Sequence, residues 1–285
     1  MSSRLNDIAD TVHSKGNRPQ FCQHHASLTQ NLLMRQVSEA LQRAVRHQQS
    51  GQFFEAEAVC RQILAALPDQ PDTLHLLAII YAQTKRFAQA NDNFRKAITL
   101  APARADFIGN YANALWEQGS IEEAIGYCER SLAINANQAE VLNVLGNALM
   151  VQNCHEKAAE CFRRALQLRP RYPHALNNLG NALQKMNQTA EAIPCYQQAI
   201  ELQGDYSEAC NNLGQALKNL GRIDEARAQF HKALQLTPNF NQARNNLAEV
   251  DSCWLEPLEG KNYSCAVTKR KTLPTCGIAT KIMIS

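Results

Sequence analysis

The sequence is poor in residues that break helices and in residues that favour strands. Its 285 residues include only 12 Gly and 10 Pro, and the aromatic residues make up 6%. Gly and Pro are the weakest helix formers, and aromatic side chains are enriched in strands. Their scarcity predicts a helical fold. The hydrophobic share of 45% is typical of a chain that buries a core.

The sequence also lacks a strong charge imbalance and a long apolar run. The formal net charge is +3, and the longest basic run is the three residues 269–271. Nucleic-acid-binding proteins usually concentrate their basic residues in a stripe. No window approaches the 18 apolar residues of a membrane span, and the N-terminus has no apolar core of a secretory signal. We therefore expect neither nucleic acid nor a membrane as partner.

The ten cysteines do not form a disulfide pattern. Five of them lie on predicted helices among Ala, Leu and Phe, where a free Cys packs as a small apolar residue: Cys60, Cys128, Cys161, Cys195 and Cys210. Without an export signal, the expected location is the reducing cytoplasm.

A spacing of 34 residues governs most of the chain. One column is Leu, followed at each step by Gly: Leu145, Leu179 and Leu213, with Gly146, Gly180 and Gly214. A second column is Ala throughout: Ala56, Ala90, Ala124, Ala158, Ala192 and Ala226. Four residues beyond each Ala stands a large or soft apolar residue: Cys60, Phe94, Cys128, Phe162, Tyr196 and Phe230. Pro closes four of the six repeats, at Pro68, Pro102, Pro170 and Pro238.

This period and these columns resemble the tetratricopeptide repeat family. We place the repeats at residues 37–70, 71–104, 105–138, 139–172, 173–206 and 207–240, with a partial seventh repeat at 241–250. The resemblance implies an all-α fold, a right-handed superhelical solenoid of helix-turn-helix repeats. A hairpin of this size cannot bury its apolar face alone, so neighbouring repeats must stack.

Within each repeat, the columns predict two helices and the turn between them. In the fourth repeat, Leu142, Leu145 and Leu149 share one face of a first helix of about 13 residues. A second helix is predicted from about Glu156 to Leu168. Between the two helices, one position suits a left-handed residue: Gly51, Gly119, Asn153, Asn187 and Gly221. Pro194, inside a second helix, should remove one backbone hydrogen bond.

The two ends carry no repeat. Residues 1–36 are interpreted as a polar, largely disordered leader that runs into the first helix near Ser27. Cys22, His24 and His25 lie close together, but a metal site needs three or four converging ligands and no second cluster is present, so we expect no metal. Residues 251–285 form an irregular tail. They are explained either by a chain cut short after about Ser264 or by a natural disordered tail.

Asparagine dominates the predicted first helices. Three rows repeat at the 34-residue step: Asn143, Asn177, Asn211 and Asn245; then Asn110, Asn178, Asn212 and Asn246; then Asn113, Asn147, Asn181 and Gln215. In the tetratricopeptide family the first helices line the concave face, where ligands bind. The resemblance therefore implies that these twelve residues form a peptide-binding face.

A carboxamide both donates and accepts hydrogen bonds, so a row of carboxamides can hold an extended peptide backbone without reading its side chains. The rows are similar to those of O-linked N-acetylglucosamine transferases, which carry Asn at the positions of Asn178 and Asn212. The alternative is that some rows bond adjacent repeats to each other and contact no ligand.

Other functions have less support in the residues. The eight His are scattered and no phosphate-binding Gly-rich loop occurs, so we expect no enzyme and no cofactor. A clamp for a carboxylate needs basic first helices, whereas acidic residues occupy that column: Asp72, Asp106, Glu140 and Glu208. His75 is interpreted as a surface polar residue.

The sequence thus predicts a cytoplasmic scaffold that binds a protein or an extended peptide. The alternative is the substrate-recognition region of a larger glycosyltransferase of the O-GlcNAc type whose catalytic module lies outside this chain. Self-association is a further expectation, because the unfinished seventh hairpin should leave Leu247 and Val250 partly uncovered.

Overall fold

The computed structural model describes residues 20–252, and every element in that range is a helix. The thirteen helices, numbered in chain order, are α1 Gln20–Gln49, α2 Phe53–Ala66, α3 Pro71–Gln83, α4 Phe87–Leu100, α5 Ala105–Glu117, α6 Ile121–Ile134, α7 Ala139–Val151, α8 His155–Leu168, α9 Pro173–Lys185, α10 Thr189–Leu202, α11 Ser207–Asn219, α12 Ile223–Leu236 and α13 Asn241–Ser252. The all-α fold predicted from the columns is confirmed.

The chain divides into two compact bodies, each described by itself. The N-terminal body ends at Met186 and the C-terminal body begins at Asn187. Since the boundary falls inside the fifth repeat, α9 belongs to the first body and α10 to the second. None of the helices within residues 20–252 is long and apolar enough to cross a membrane.

Helices pair as the repeat predicts. In the N-terminal body, each second helix packs on its own first helix and on the first helix of the next repeat. Successive first helices, from α1 through α3, α5 and α7 to α9, also contact one another directly. The first helices therefore form one side of the stack, which we call the first-helix face. In the C-terminal body α11 packs on α12 and contacts α13.

The predicted helix lengths and turns are confirmed in the fourth repeat and its neighbours. The helix α7 has 13 residues and ends at Val151, and α8 ends at Leu168. The five predicted left-handed positions have positive φ: 74° at Gly51, 80° at Gly119, 58° at Asn153, 61° at Asn187 and 74° at Gly221. Lys85 fills the same place in the second repeat with φ 59°. The helix α10 continues through Pro194 for its full 14 residues.

The Ala and aromatic columns form the core between paired helices. Every Ala of the second-helix column is fully buried, as are Phe162 and Phe230 four residues further on. The absence of a side chain at Gly146 makes room for the ring of Phe162, since a Cβ there would lie 2.5 Å from its Cε1. Gly214 and Phe230 stand in the same relationship, with 2.6 Å from the Cβ position to Cε1. In these two repeats the Gly therefore leaves room for the aromatic ring.

The first helix begins earlier than predicted. The helix α1 starts at Gln20 and not near Ser27, so residues 20–26, which the sequence assigns to the disordered part of the leader, are helical. Residues 1–19 and 253–285, including the tail after Ser264, lie outside the described residues. The same holds for the side chains of Cys22, His24 and His25.

The last described helix leaves little apolar surface uncovered. Val250 is 2% exposed and Ala243 is fully buried, while Leu247 is half-buried. The expectation that Val250 is partly uncovered is therefore wrong, because the residue packs into the stack. The case for self-association at this end is reduced to Leu247, and self-association stays a prediction.

Candidate functional site

The solvent-facing stripe of the first helices follows helical spacing. In α5 the exposed residues are Asp106, Asn110, Asn113 and Glu117. In α9 the corresponding residues His174, Asn178, Asn181 and Lys185 are exposed or half-buried. Residues spaced by three and four lie on one face of a helix. The second and third asparagine rows, as far as they lie in the N-terminal body, therefore reach the surface of the first-helix face.

The first asparagine row lies inside the structure. Asn143 is 8% exposed, Asn177 is fully buried and Asn211 is 1% exposed. Buried polar side chains are stable only when they are hydrogen-bonded. Asn143 accepts a 3.0 Å hydrogen bond on Oδ1 from Nδ2 of Asn178, which belongs to the next repeat. In the C-terminal body Asn211 likewise accepts a 2.8 Å bond from Asn246. These bonds join the first helices of successive repeats.

The second row supplies the donors of these bonds. Asn178 and Asn246 are the donors of the two bonds just described. Asn110 makes the equivalent contact earlier in the chain, a 3.1 Å hydrogen bond to Nε2 of His75. Asn211 in turn donates to Oδ1 of Asn212 over 3.4 Å. In the fourth repeat the position is occupied by Val144, which is 7% exposed. Residues of the second row therefore connect successive first helices by hydrogen bonds, and they remain partly accessible to solvent.

The third row is the most accessible. Asn113 is exposed and donates a 3.0 Å hydrogen bond to Glu117 on its own helix. Gln215 likewise donates a 3.1 Å hydrogen bond to Asn219. Asn147 and Asn181 are half-buried, and within the described residues Asn147 makes no side-chain hydrogen bond. Asn245, from the first row, is exposed in the last helix. The row of Asn113, Asn147 and Asn181 crosses three helices in direct contact, and we call it the amide row.

His75 differs from its sequence-based interpretation as a surface polar residue. Its half-buried ring stacks on Phe107 with centroids 4.1 Å apart and meets Phe94 edge-on at 5.8 Å. The pKa of His75 is lowered to about 4, chiefly by burial; the nearby Arg104 also lowers it, while Asp106 and Asp72 act in the opposite direction. His75 occupies the position that Asn143, Asn177 and Asn211 hold in later repeats. This shared position in the repeat is the sequence signal that His75 contacts the next repeat.

The acidic column forms ion pairs with arginine where it lies in the N-terminal body. Arg104 bonds Asp72 at 2.9 Å and Asp106 at 2.7 Å and lies 4.1 Å over the ring of Phe107. The hydrogen bond from Arg104 is the main reason that the pKa of Asp106 is lowered. Arg169 pairs with Glu140. Repulsion by this column is therefore weaker than the sequence predicts, since two arginines pair with these three carboxylates.

The described side chains contain no cluster that could hold a metal ion. Among the side chains described between residues 32 and 252, no three or more His, Cys, Asp or Glu lie close enough together to hold a metal ion. Cys60 and Cys128 are free and fully buried, and burial raises the pKa of each thiol to about 12. These thiols pack as apolar groups and are protonated at neutral pH.

Three solved structures show how this architecture compares with known proteins. The pilF protein of Pseudomonas aeruginosa is 20% identical, with a TM-score of 0.70 over 76% of this chain and 99% of its own. PilW, described as a widely conserved type IV pilus biogenesis factor, is 18% identical, with a TM-score of 0.67 over 74% of this chain and 98% of its own. At these identities the likeness extends to the fold alone.

YrrB, described as a TPR protein with an unusual peptide-binding site, is 28% identical, with a TM-score of 0.50 over 56% of this chain and 83% of its own. Family models of the tetratricopeptide repeat match residues 83–148, 136–205 and 207–240, which together cover more than half of the chain. The chain therefore belongs to the tetratricopeptide repeat family.

Proposed function

We propose that this chain is a non-catalytic scaffold that binds an extended protein segment on its first-helix face. The observation that carries the proposal is the amide row of Asn113, Asn147 and Asn181. It places three solvent-accessible carboxamides at the same position of three first helices that contact one another.

The chemistry of the amide row suits a peptide backbone. A carboxamide carries two N–H donors and one acceptor oxygen, so Asn113 keeps a second N–H and its oxygen beside the bond to Glu117. An extended backbone presents N–H and C=O groups in alternation. Packed helices lie about 8–10 Å apart, and an extended chain advances about 3.3 Å per residue. One carboxamide per repeat would thus meet the backbone about every third residue.

The likeness to YrrB, which is described as having an unusual peptide-binding site and is 28% identical, supports peptide binding by this chain. We also propose a cytoplasmic location for the chain. The support for it is the set of buried free thiols, which a reducing compartment keeps reduced: Cys60, Cys128, Cys161 and Cys210.

The test is selection of peptides from a random display library on the full chain. We expect selected peptides to lose at least about tenfold in affinity when Asn147 and Asn181 are both replaced by Ala, because both backbone contacts disappear. The matched control replaces the exposed second-helix residues Gln167 and Gln197 by Ala, which should leave binding unchanged. If library selection yields no peptide, or the Asn147/Asn181 variant binds as well as the control, the proposal is wrong.

A second candidate function is substrate recognition for a glycosyltransferase module, supported by the Asn residues at positions 178 and 212. The discriminating measurement is the intact mass of the protein in its native cells. A mass above 31.8 kDa, with sequence continuing into a further module, would support it, whereas a mass of 31.8 kDa would remove it.

A further inference from the structure

The type of side chain at the last position of the solvent-facing stripe differs from helix to helix. Below the uniform amide row, four residues on along each first helix, stand Glu117, Val151 and Lys185. All three are exposed, with Val151 at 57%. We call these three residues the rim row. It presents an acid, an apolar group and a base on three successive helices that contact one another.

The rim row lies on the same side as the amide row. Residues four apart share a helix face, so Asn147 and Val151 point the same way, as do Asn181 and Lys185. In α5 the relationship is a direct contact, since Asn113 donates its 3.0 Å hydrogen bond to Oε1 of Glu117. A chain lying along the amide row would therefore have the rim row beside it.

Neither the helix dipole nor burial accounts for two of the three rim residues. Glu117 is the last residue of α5, where the helix dipole disfavours a negative charge. Val151 is 57% exposed at the end of α7, so burial does not require an apolar side chain there. Lys185 suits a helix C-terminus, but within the described residues it forms no ion pair and its charge is available.

We propose that the rim row selects the bound segment by its side chains. The preferred segment carries a basic residue opposite Glu117, an apolar residue opposite Val151 and an acidic residue opposite Lys185. This inference rests on the proposed function, because it requires the backbone to lie along the amide row. The two rows have different roles. The identical carboxamides of the amide row bind the backbone of any segment, and the three different rim residues discriminate between segments by their side chains.

The spacing of the selected residues follows from the helix spacing. With about 8–10 Å between neighbouring helices and about 3.3 Å per extended residue, the basic, apolar and acidic residues should lie about three residues apart. Carboxamides serve either chain direction, so the order can read from base to acid or the reverse. The apolar residue stands in the middle in both cases.

The experiment is peptide selection from a random library on the full chain, followed by affinity measurement of one selected peptide. We expect enrichment of a central apolar residue flanked at about three residues by one base and one acid. Glu117→Lys should weaken this peptide about fivefold and should favour the version of the peptide in which the base is replaced by Glu. Glu129→Lys, the same charge change at an exposed site on α6, is the matched control.

The possible results separate this inference from the proposed function. If selected peptides depend on Asn147 and Asn181 but show no such pattern, or Glu117→Lys behaves like Glu129→Lys, the rim row does not select and the scaffold function stands. If no peptide is selected, or binding ignores Asn147 and Asn181, both are wrong. Reversal of the charge preference by Glu117→Lys alone supports the inference, since a loss of fold would abolish binding of both peptides.

Discussion

Asn178 in the fifth repeat donates a 3.0 Å hydrogen bond from Nδ2 to Oδ1 of Asn143 in the fourth. Asn246 repeats the contact to Asn211 in the C-terminal body over 2.8 Å. Two side chains that look equivalent to ligand-binding residues in the sequence thus connect one repeat to the next. This relationship separates the asparagines into a buried structural row and an accessible amide row, and it leads to the first prediction.

Replacing Asn143 by Ala should destabilise the protein, whereas replacing Asn147 by Ala should not. Asn143 is 8% exposed and bonds the next repeat, so its loss leaves a cavity and an unpaired Asn178. The expected decrease in the free energy of unfolding is about 1–2 kcal/mol. Urea denaturation of both variants is the measurement, and equal midpoints for the two would contradict the assignment of rows.

Replacing Gly146 by Ala should destabilise the protein by about 1–3 kcal/mol, because the added Cβ lies 2.5 Å from Cε1 of Phe162 and the core is overpacked. The matched control is Gly126→Ala on α6. A Cβ there has no atom within 4 Å, and Ala is the better helix former, so this variant should gain about 0.5–1 kcal/mol. Thermal unfolding of both variants measures the difference. Changes of the same sign at the two sites would refute the packing role of Gly146.

Lowering the pH should decrease the free energy of unfolding because of His75. Its pKa in the folded protein is about 4, below the ordinary 6.5, so folding favours the neutral ring. The stability that depends on the neutral ring is fully present above pH 6.5. It is lost as the pH falls towards 4, since the unfolded chain then takes up the proton more readily than the folded protein. The difference should reach about 2 kcal/mol at pH 5.

The measurement for His75 is urea denaturation at pH 7 and pH 5. The His75→Asn variant, which places the residue of the later repeats at this position, should lose less stability between the two pH values than the wild-type protein. His231→Asn on the exposed side of α12 is the control and should follow the wild type. A parallel loss in all three proteins would show that His75 is not the group responsible.

Replacing Arg86 by Met should destabilise the first two repeats. Arg86 bonds the buried carboxylate of Glu57 at 2.6 Å and lies 4.4 Å over the ring of Tyr81. Removing Arg86 takes away one of the two arginines that pair with the buried Glu57 carboxylate, and only the more exposed Arg61 remains, at 2.7 Å. The expected loss is about 2 kcal/mol.

The hydrogen bond from Arg86 is also the main reason that the pKa of Glu57 is lowered. The contribution of this pair is therefore present above the ordinary pKa of 4.5 and is lost as the pH falls through the lowered value. Denaturation as a function of pH should show a smaller acid loss in Arg86→Met than in the wild type. Arg222→Met, in an exposed pair three residues apart on the chain, should change nothing measurable.

Much of the architecture could be predicted from the columns, since each column acts within one hairpin. Gly146 and Phe162 lie in the same repeat, and Asn153 ends the helix on which Gly146 stands. Their spacing alone indicates a helix, a left-handed turn and a second helix. The start of α1 at Gln20 could not be predicted because residues 20–26 carry no column, although they are helical.

The candidate site could be predicted only in part. The sequence located the asparagine rows on the first helices, but all three rows looked alike. It did not show that Asn143 is buried while Asn147 is accessible, or that Arg104 pairs with both Asp72 and Asp106. It also interpreted His75 as a surface residue, whereas the ring stacks on Phe107 in the next repeat.

The sequence by itself determined the repeat, its two helices and its turns, because a helical period and a left-handed turn are local properties of a few neighbouring residues. Only the tertiary structure decided which asparagines join repeats and which face solvent. That outcome depends on the side chain opposite, about 34 residues away in sequence. Asn143 meets Asn178, whereas the equivalent Gly109 meets Val141, and a Cβ at Gly109 would lie 2.6 Å from Cγ2 of that valine. Equivalent positions in a repeat therefore acquire different roles when their partners differ.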